Sequence, residues 1–96
     1  MVYRITTPER AGDRDQAREV VSVLAHDLSG NVVVLDCGAL VVGTPSFLDE
    51  ILKQVLVDRG ATTLEVHGAS RRAQEHLERS AANRAVQDRL AFAMTL

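Results

Sequence analysis

Four consecutive apolar residues, Val32-Val33-Val34-Leu35, restrict this chain more than any other stretch. Three are β-branched, which favours an extended backbone, and no polar residue interrupts them. A strand with one wet face alternates apolar and polar side chains. An unbroken run reads instead as a central strand buried on both sides. Such a strand needs parallel neighbours and covering helices, and the flanking sequence supplies patterns for both.

Val2 to Thr6 reads as a short strand, ended by the Pro8-Glu9-Arg10-Ala11-Gly12 break. Asp13 is placed to cap a helix through Leu28, because Ala17, Val20, Val21, Leu24 and Leu28 recur at helical spacing. Ser29-Gly30 ends it. Leu40, Val41 and Val42 are expected in the next connection, buried against the helix that follows. That helix runs from about Pro45 to Arg59, with Leu48, Ile51, Leu52, Val55 and Leu56 as its apolar stripe. Thr44 and Ser46 compete to cap it. Ser46 would form a capping box with Asp49. Thr44 is favoured, because it puts Pro45 at the first helical position, where a missing N–H costs nothing. Gly60 closes the helix. Thr62 to Val66 reads as a third strand. Ser70 then opens a helical region to the C-terminus, bending near Ala81-Ala82-Asn83 and continuing on a stripe of Val86, Leu90 and Ala93-Met94. The order β-α-β-α-β-α predicts one α/β domain over residues 1–96, with a mostly parallel or mixed sheet, right-handed crossovers and helices packed on it. Its core is expected from Val33, Leu35, Ile51, Leu52, Val55 and Leu64.

Composition removes several classes of function. Tyr3, Phe47 and Phe92 are the only aromatics, too few to stack bases, and the formal net charge is −2. Neither suits nucleic acid. The charge is uneven, since residues 70–96 set five arginines against Glu75, Glu78 and Asp88. A solvated arginine-bearing helix face accounts for that most simply. Cys37 is the single cysteine, so no internal disulfide forms, and a small buried hydrophobe is its plainest role. No stretch resembles a signal peptide or a membrane span. A cytoplasmic protein without membrane association is expected. No histidine pair has metal-ligand spacing and no Gly-rich loop cradles a phosphate, so neither metal nor cofactor is expected.

The candidate site lies at Gly43-Thr44-Pro45-Ser46-Phe47-Leu48-Asp49-Glu50, where the apolar run hands over to a helix. Such a handover exposes hydroxyls and first-turn amides that have no intrahelical partner, beside the positive end of the helix dipole. Ligands and partners of parallel sheets approach the carboxyl ends of the strands, where Asp36, the 43–46 turn and His67 are expected. A Ser46-His67-Asp36 hydrolase is conceivable on those grounds. Against it, the surroundings of Ser46 are not a Gly-x-Ser-x-Gly elbow, and the domain is too small to wall off a substrate. A non-catalytic module is the expectation. Arg14 either pins the chain or faces a partner, and His26 and His76 read as solvated or half-packed helix residues.

Leu35-Asp36-Cys37-Gly38-Ala39, then Ser46-Phe47-Leu48-Asp49-Glu50, then Gly60 before a strand resembles a STAS domain. STAS domains are the sulfate-transporter and anti-sigma-factor-antagonist modules. Arg14-Asp15-Gln16-Ala17 extends the likeness toward the uncharacterised bacterial STAS-like group, and it covers roughly residues 12–80. The resemblance implies a regulatory protein-interaction domain. In antagonist members, a serine at this helix start is phosphorylated by a histidine-kinase-like ATPase with serine kinase activity. It therefore implies Ser46 as the phosphorylated residue and Asp36, Thr44, Ser46, Phe47 and Asp49 as the partner-binding set. The implied partner is that kinase or an anti-sigma factor. Pro45 stands where the family carries an aspartate before the serine, and one strand opens the chain where many STAS domains have two. A structural or self-associating subunit is the alternative, marked by a buried Ser46 and an apolar face on a helix over 84–94.

Overall fold

The Val32–Leu35 run becomes one of the two inner strands of a four-stranded sheet in which every pairing is parallel. The structure, a computed structural model, describes residues 1–93. Along the chain come β1 (Val2–Thr6), β2 (Arg10–Ala11), α1 (Arg14–Val21), β3 (Val32–Asp36) and β4 (Val42–Gly43). Helix α2 (Pro45–Leu52) follows and continues as π-helical turns over Lys53–Asp58. Then come β5 (Thr63–His67), α3 (Arg71–Asn83), a 3₁₀ turn at Gln87–Arg89 and β6 (Leu90–Phe92).

The sheet order is β1-β3-β5-β6, so each crossover steps one place in the same direction. Right-handed crossovers of that kind put all three helices on one face. Helix α2 lies in the middle of the helical layer, packed against both α1 and α3. Strand alternation then sorts the side chains. Tyr3, Val33, Leu64 and Leu90 form one row across the register and Ile5, Leu35, Val66 and Phe92 the next, both turned toward the helices. Between the layers, Phe47, Leu48, Ile51, Leu52, Val55 and Leu56 are buried to 1% exposure or less. Every residue of the expected core is among the buried ones.

Three N-caps behave as their sequences dictate. The Asp13 carboxylate accepts from the Gln16 amide at 2.8 Å, Thr44 Oγ1 from Phe47 at 3.2 Å and Ser70 Oγ from Ala73 at 3.2 Å. Gly60 adopts φ 72°, which only glycine takes at little cost.

Elsewhere the chain departs from local expectation. β3 is not covered on both sides. Val33 and Leu35 are fully buried against the helices, whereas Val32 and Asp36 are half-buried on the other face. Val34 reaches 6% exposure there between its register neighbours Arg4 and Glu65, whose long stems flank it.

Helix α1 stops at Val21 rather than Leu28. Ser22 turns its hydroxyl back onto the Glu19 carbonyl at 2.6 Å, and Arg59 takes the carbonyls of Leu24 and Ala25 at 2.8 and 3.1 Å. Leu24 and Leu28 stay buried, so the apolar spacing outlasts the helix.

Val41 and Val42 are 75% and 48% exposed, not packed under α2. Their amides donate to the Glu9 carbonyl, because β4 pairs with β2 in a small parallel ribbon. Within the π-helical turns, Lys53 meets Asp58 at 3.0 Å, a five-residue spacing that an α-helix does not bring together.

The largest difference lies after Asn83. Ala85 takes φ 56°, the helix ends, and Leu90–Phe92 adds a parallel edge strand beside β5. The Arg89 guanidinium anchors this return by donating to the Leu56 carbonyl at 2.7 Å and to that of Ala61. Over residues 84–93 the chain therefore forms no continuous helix, and Met94 of the expected stripe lies outside the described residues. Among the described residues, no helix is long and apolar enough to cross a membrane.

Leu35 is fully buried between sheet and helices, so Leu35→Ala is expected to cost about 2–5 kcal/mol in urea unfolding. A loss under about 0.5 kcal/mol, the size of an ordinary surface change, would contradict this packing.

Candidate functional site

Three polar residues crowd the start of α2, and each has a different task. Thr44 Oγ1 accepts the Phe47 amide and donates to the Gly12 carbonyl at 3.0 Å, tying this helix start to the turn before α1. Asp49 does not reach back to form a capping box with Ser46. Its carboxylate turns toward the neighbouring helices instead. Arg84, the C-cap residue of α3, grips it with two nitrogens at 2.9 and 2.8 Å, Ser80 of α3 donates its hydroxyl at 2.5 Å, and Arg14 of α1 donates at 2.9 Å. Ser46, with Thr44 capping and Asp49 turned away, is left exposed, and its hydroxyl makes no hydrogen bond among the described residues.

Glu50 completes the polar seam. It is 2% exposed, and its oxygens receive Arg14 at 3.2 Å and Gln54 at 2.8 Å, with Arg18 and Lys53 at 3.6 and 3.9 Å. Burial pushes its carboxyl pKa up, and the Gln54 and Arg14 hydrogen bonds with the nearby cations outweigh that, leaving it lowered. Asp49 is held well below the usual carboxylate range. The Arg84 hydrogen bonds are the main cause, opposed by burial and reinforced by Ser80 and Arg14. The Arg84 and Arg14 guanidinium pKa values are correspondingly raised by their bonds to Asp49. Arg14 thus pins α1 to α2.

Beside this seam opens a groove of about 480 Å³, with Arg14 from α1, Ser46 from α2, His76, Arg79 and Asn83 from α3, and the cap residue Arg84 on its walls. Among the described residues that line it, Asp49 is the only carboxylate, against three arginines. The groove is therefore electropositive, and among the described residues Arg79 makes no ion pair.

Protein-family models, curated proteins and solved structures were searched, and none matches this chain.

The residues expected to act together are divided between two surfaces. Thr44, Ser46 and Asp49 share the start of α2. Asp36 and His67 are register neighbours on the opposite, open face of the sheet. There Asp36 accepts the Gly38 amide at 2.8 Å and lies 3.7 Å from Arg4, while His67 Nε2 meets Glu65 at 2.9 Å. A Ser46-His67-Asp36 triad is not assembled.

Phe47, expected in the partner-binding set, is fully buried in the core, where its ring is out of a partner's reach. Cys37 is 2% exposed, and burial, helped by the Asp36 charge, pushes its thiol up to about 11. It is an unreactive core residue. Among the described residues, no group of three or more His, Cys, Asp or Glu is placed to hold a metal ion.

Sequence reasoning missed Ser80, Arg79, Arg84 and the burial of Glu50. The signal available was the arginine excess after residue 70, which read as a solvated face. Arg84 and Arg89 instead spend their guanidinium groups on Asp49 and on backbone carbonyls.

Asp49→Asn is expected to cost about 1.5–3 kcal/mol at neutral pH, the range for hydrogen bonds to a charged group. Because the folded pKa is depressed, this contribution is present above the unfolded value of about 3.9 and is lost as pH falls through the folded one. The stability gap between the variants, followed by urea unfolding, therefore narrows below about pH 4. A gap independent of pH would show that the Asp49 charge does not hold the helices.

Proposed function

We propose that this chain is a STAS-like, non-catalytic interaction module of the cytoplasm. It docks to a histidine-kinase-like ATPase with serine kinase activity or to an anti-sigma factor, and phosphorylation of Ser46 switches the contact. The observation that carries this reading is the free, exposed hydroxyl of Ser46 at the second position of α2. Its two polar neighbours are committed, Thr44 to the cap and Asp49 to Arg84, Ser80 and Arg14. A group can therefore be added at Ser46 without dismantling the helix start. The surrounding arginines favour an acidic partner surface. A phosphate adds about −1.5 to −2 charge to that face and would repel such a partner.

The self-associating alternative called for a buried Ser46 and an apolar helix over 84–94. Ser46 is exposed, and 90–92 is a strand.

The test is phosphorylation and binding. Incubation with ATP and a serine kinase of the histidine-kinase-like ATPase class should place one phosphate on Ser46, located by mass spectrometry and missing from Ser46→Ala. Binding to that kinase should survive Ser46→Ala and weaken by about tenfold or more in Ser46→Glu, a difference of about 1.4 kcal/mol. Both variants should stay folded, since Ser46 is not the cap and the helix dipole tolerates a carboxylate at that end. Equal binding by the wild type, Ser46→Ala and Ser46→Glu would sink the switch.

A further inference from the structure

The groove beside Ser46 has a charge pattern that the docking reading does not use up. Its walls carry Arg14, Arg79 and Arg84 against Asp49, a formal excess of two positive charges among the lining residues. Arg84 and Arg14 are partly neutralised, since both donate to Asp49 and Arg14 donates also to the buried Glu50 behind the wall, which leaves Arg79 as the uncompensated charge. Arg79 is exposed, and among the described residues it has no carboxylate partner. His76, three residues before Arg79, and Asn83, four residues after it, add further hydrogen-bonding groups from the same helix.

We propose that this groove is a binding site for the dianionic phosphate of a monoester, with Arg79 recruiting the phosphate and Arg84 sharing itself between the phosphate and Asp49. The match is one of charge and of geometry. A phosphate monoester carries close to two negative charges at neutral pH and presents three strong acceptor oxygens. Guanidinium groups meet such oxygens with paired, charge-assisted bonds. Ser46 and Asp49 lie three residues apart on α2, hence on one face of the helix. A phosphate there draws on the same arginines as Asp49. The groove is also the wrong shape for a buried substrate. It is open, and apart from Pro45 the residues that line it are polar or charged.

The phosphate has two possible sources: the Ser46 side chain once modified, or a free phosphorylated small molecule. The first deepens the docking reading and rests on it, because phosphate lodged on Arg79 would fill the basic surface that an acidic partner needs. The second stands without it.

The experiment is an amide NMR titration of the full chain with inorganic phosphate, which needs no partner protein. Saturable shifts are expected at Ser46, His76, Arg79, Asn83 and Arg84. Arg79→Gln should weaken the binding about tenfold, with an unchanged thermal midpoint. Arg71→Gln is the control. It removes the same charge from the same helix outside the groove and should leave binding as in the wild type.

A chain carrying phosphoserine at position 46 separates the sources. If it shows the same shifts unaided and no longer takes up inorganic phosphate, the site is filled from Ser46. If it still binds inorganic phosphate at these residues, the site serves a free ligand. Either result supports the groove. Shifts that never saturate, or equal weakening by Arg71→Gln and Arg79→Gln, would overturn it by reducing the effect to diffuse charge. A failure of this kind leaves the kinase-docking test untouched, and a failed docking test leaves this one standing.

Discussion

The carboxylate of Asp49 is the interaction on which the helical layer depends. One side chain of α2 receives four donated hydrogen bonds, one from Ser80 of α3, two from Arg84 at the C-terminal cap of that helix and one from Arg14 of α1. The sheet aligns its strands through backbone bonds, but the helices above it meet mainly through apolar contact, which is not directional. A bidentate guanidinium and a buried hydroxyl add direction, fixing where α3 sits along α2. Glu50, the next residue, does the same toward α1 through Arg14 and Arg18. Adjacent acidic residues on one helix thus reach both neighbours.

That commitment shapes the surface. A helix start with Thr44, Ser46 and Asp49 has more polar groups than the cap requires. Thr44 satisfies the cap and Asp49 is drawn off by Arg84, which leaves Ser46 surplus to the local structure. The arginines that hold Asp49 also wall the groove beside Ser46, so one cluster both fastens the helices and makes the surface positive. The open sheet face is separate from this. Arg4, Asp36, Glu65 and His67 pair there with one another, on the side of the sheet away from the helices.

The parts of the fold legible in the sequence are those decided within a few residues. The β-branched run at Val32–Leu35, the caps at Asp13, Thr44 and Ser70, and the turn at Gly60 each follow from local sterics and hydrogen bonding. What was not legible depends on distant partners. Leu24 and Leu28 keep helical spacing, but Arg59 claims the carbonyls of Leu24 and Ala25. Leu90–Phe92 is too short to declare itself a strand, and becomes one because β5 offers a free edge and Arg89 anchors the approach. Ser46 was visible as a helix-start hydroxyl. Its groove was not, because Arg79, Arg84 and Ser80 come from a segment more than thirty residues away, where arginine spacing alone carries no sign of Asp49.

A double-mutant cycle between Asp49→Asn and Arg84→Gln, read by urea unfolding at neutral pH, tests most directly whether this contact organises the helical layer. Residues joined by a bidentate, partly buried pair are coupled, and the account predicts a coupling free energy of at least about 1 kcal/mol. Effects that simply add, to within about 0.3–0.5 kcal/mol, would show that Asp49 and Arg84 act independently. The contact could not then be what commits Asp49 to α3 and leaves Ser46 free.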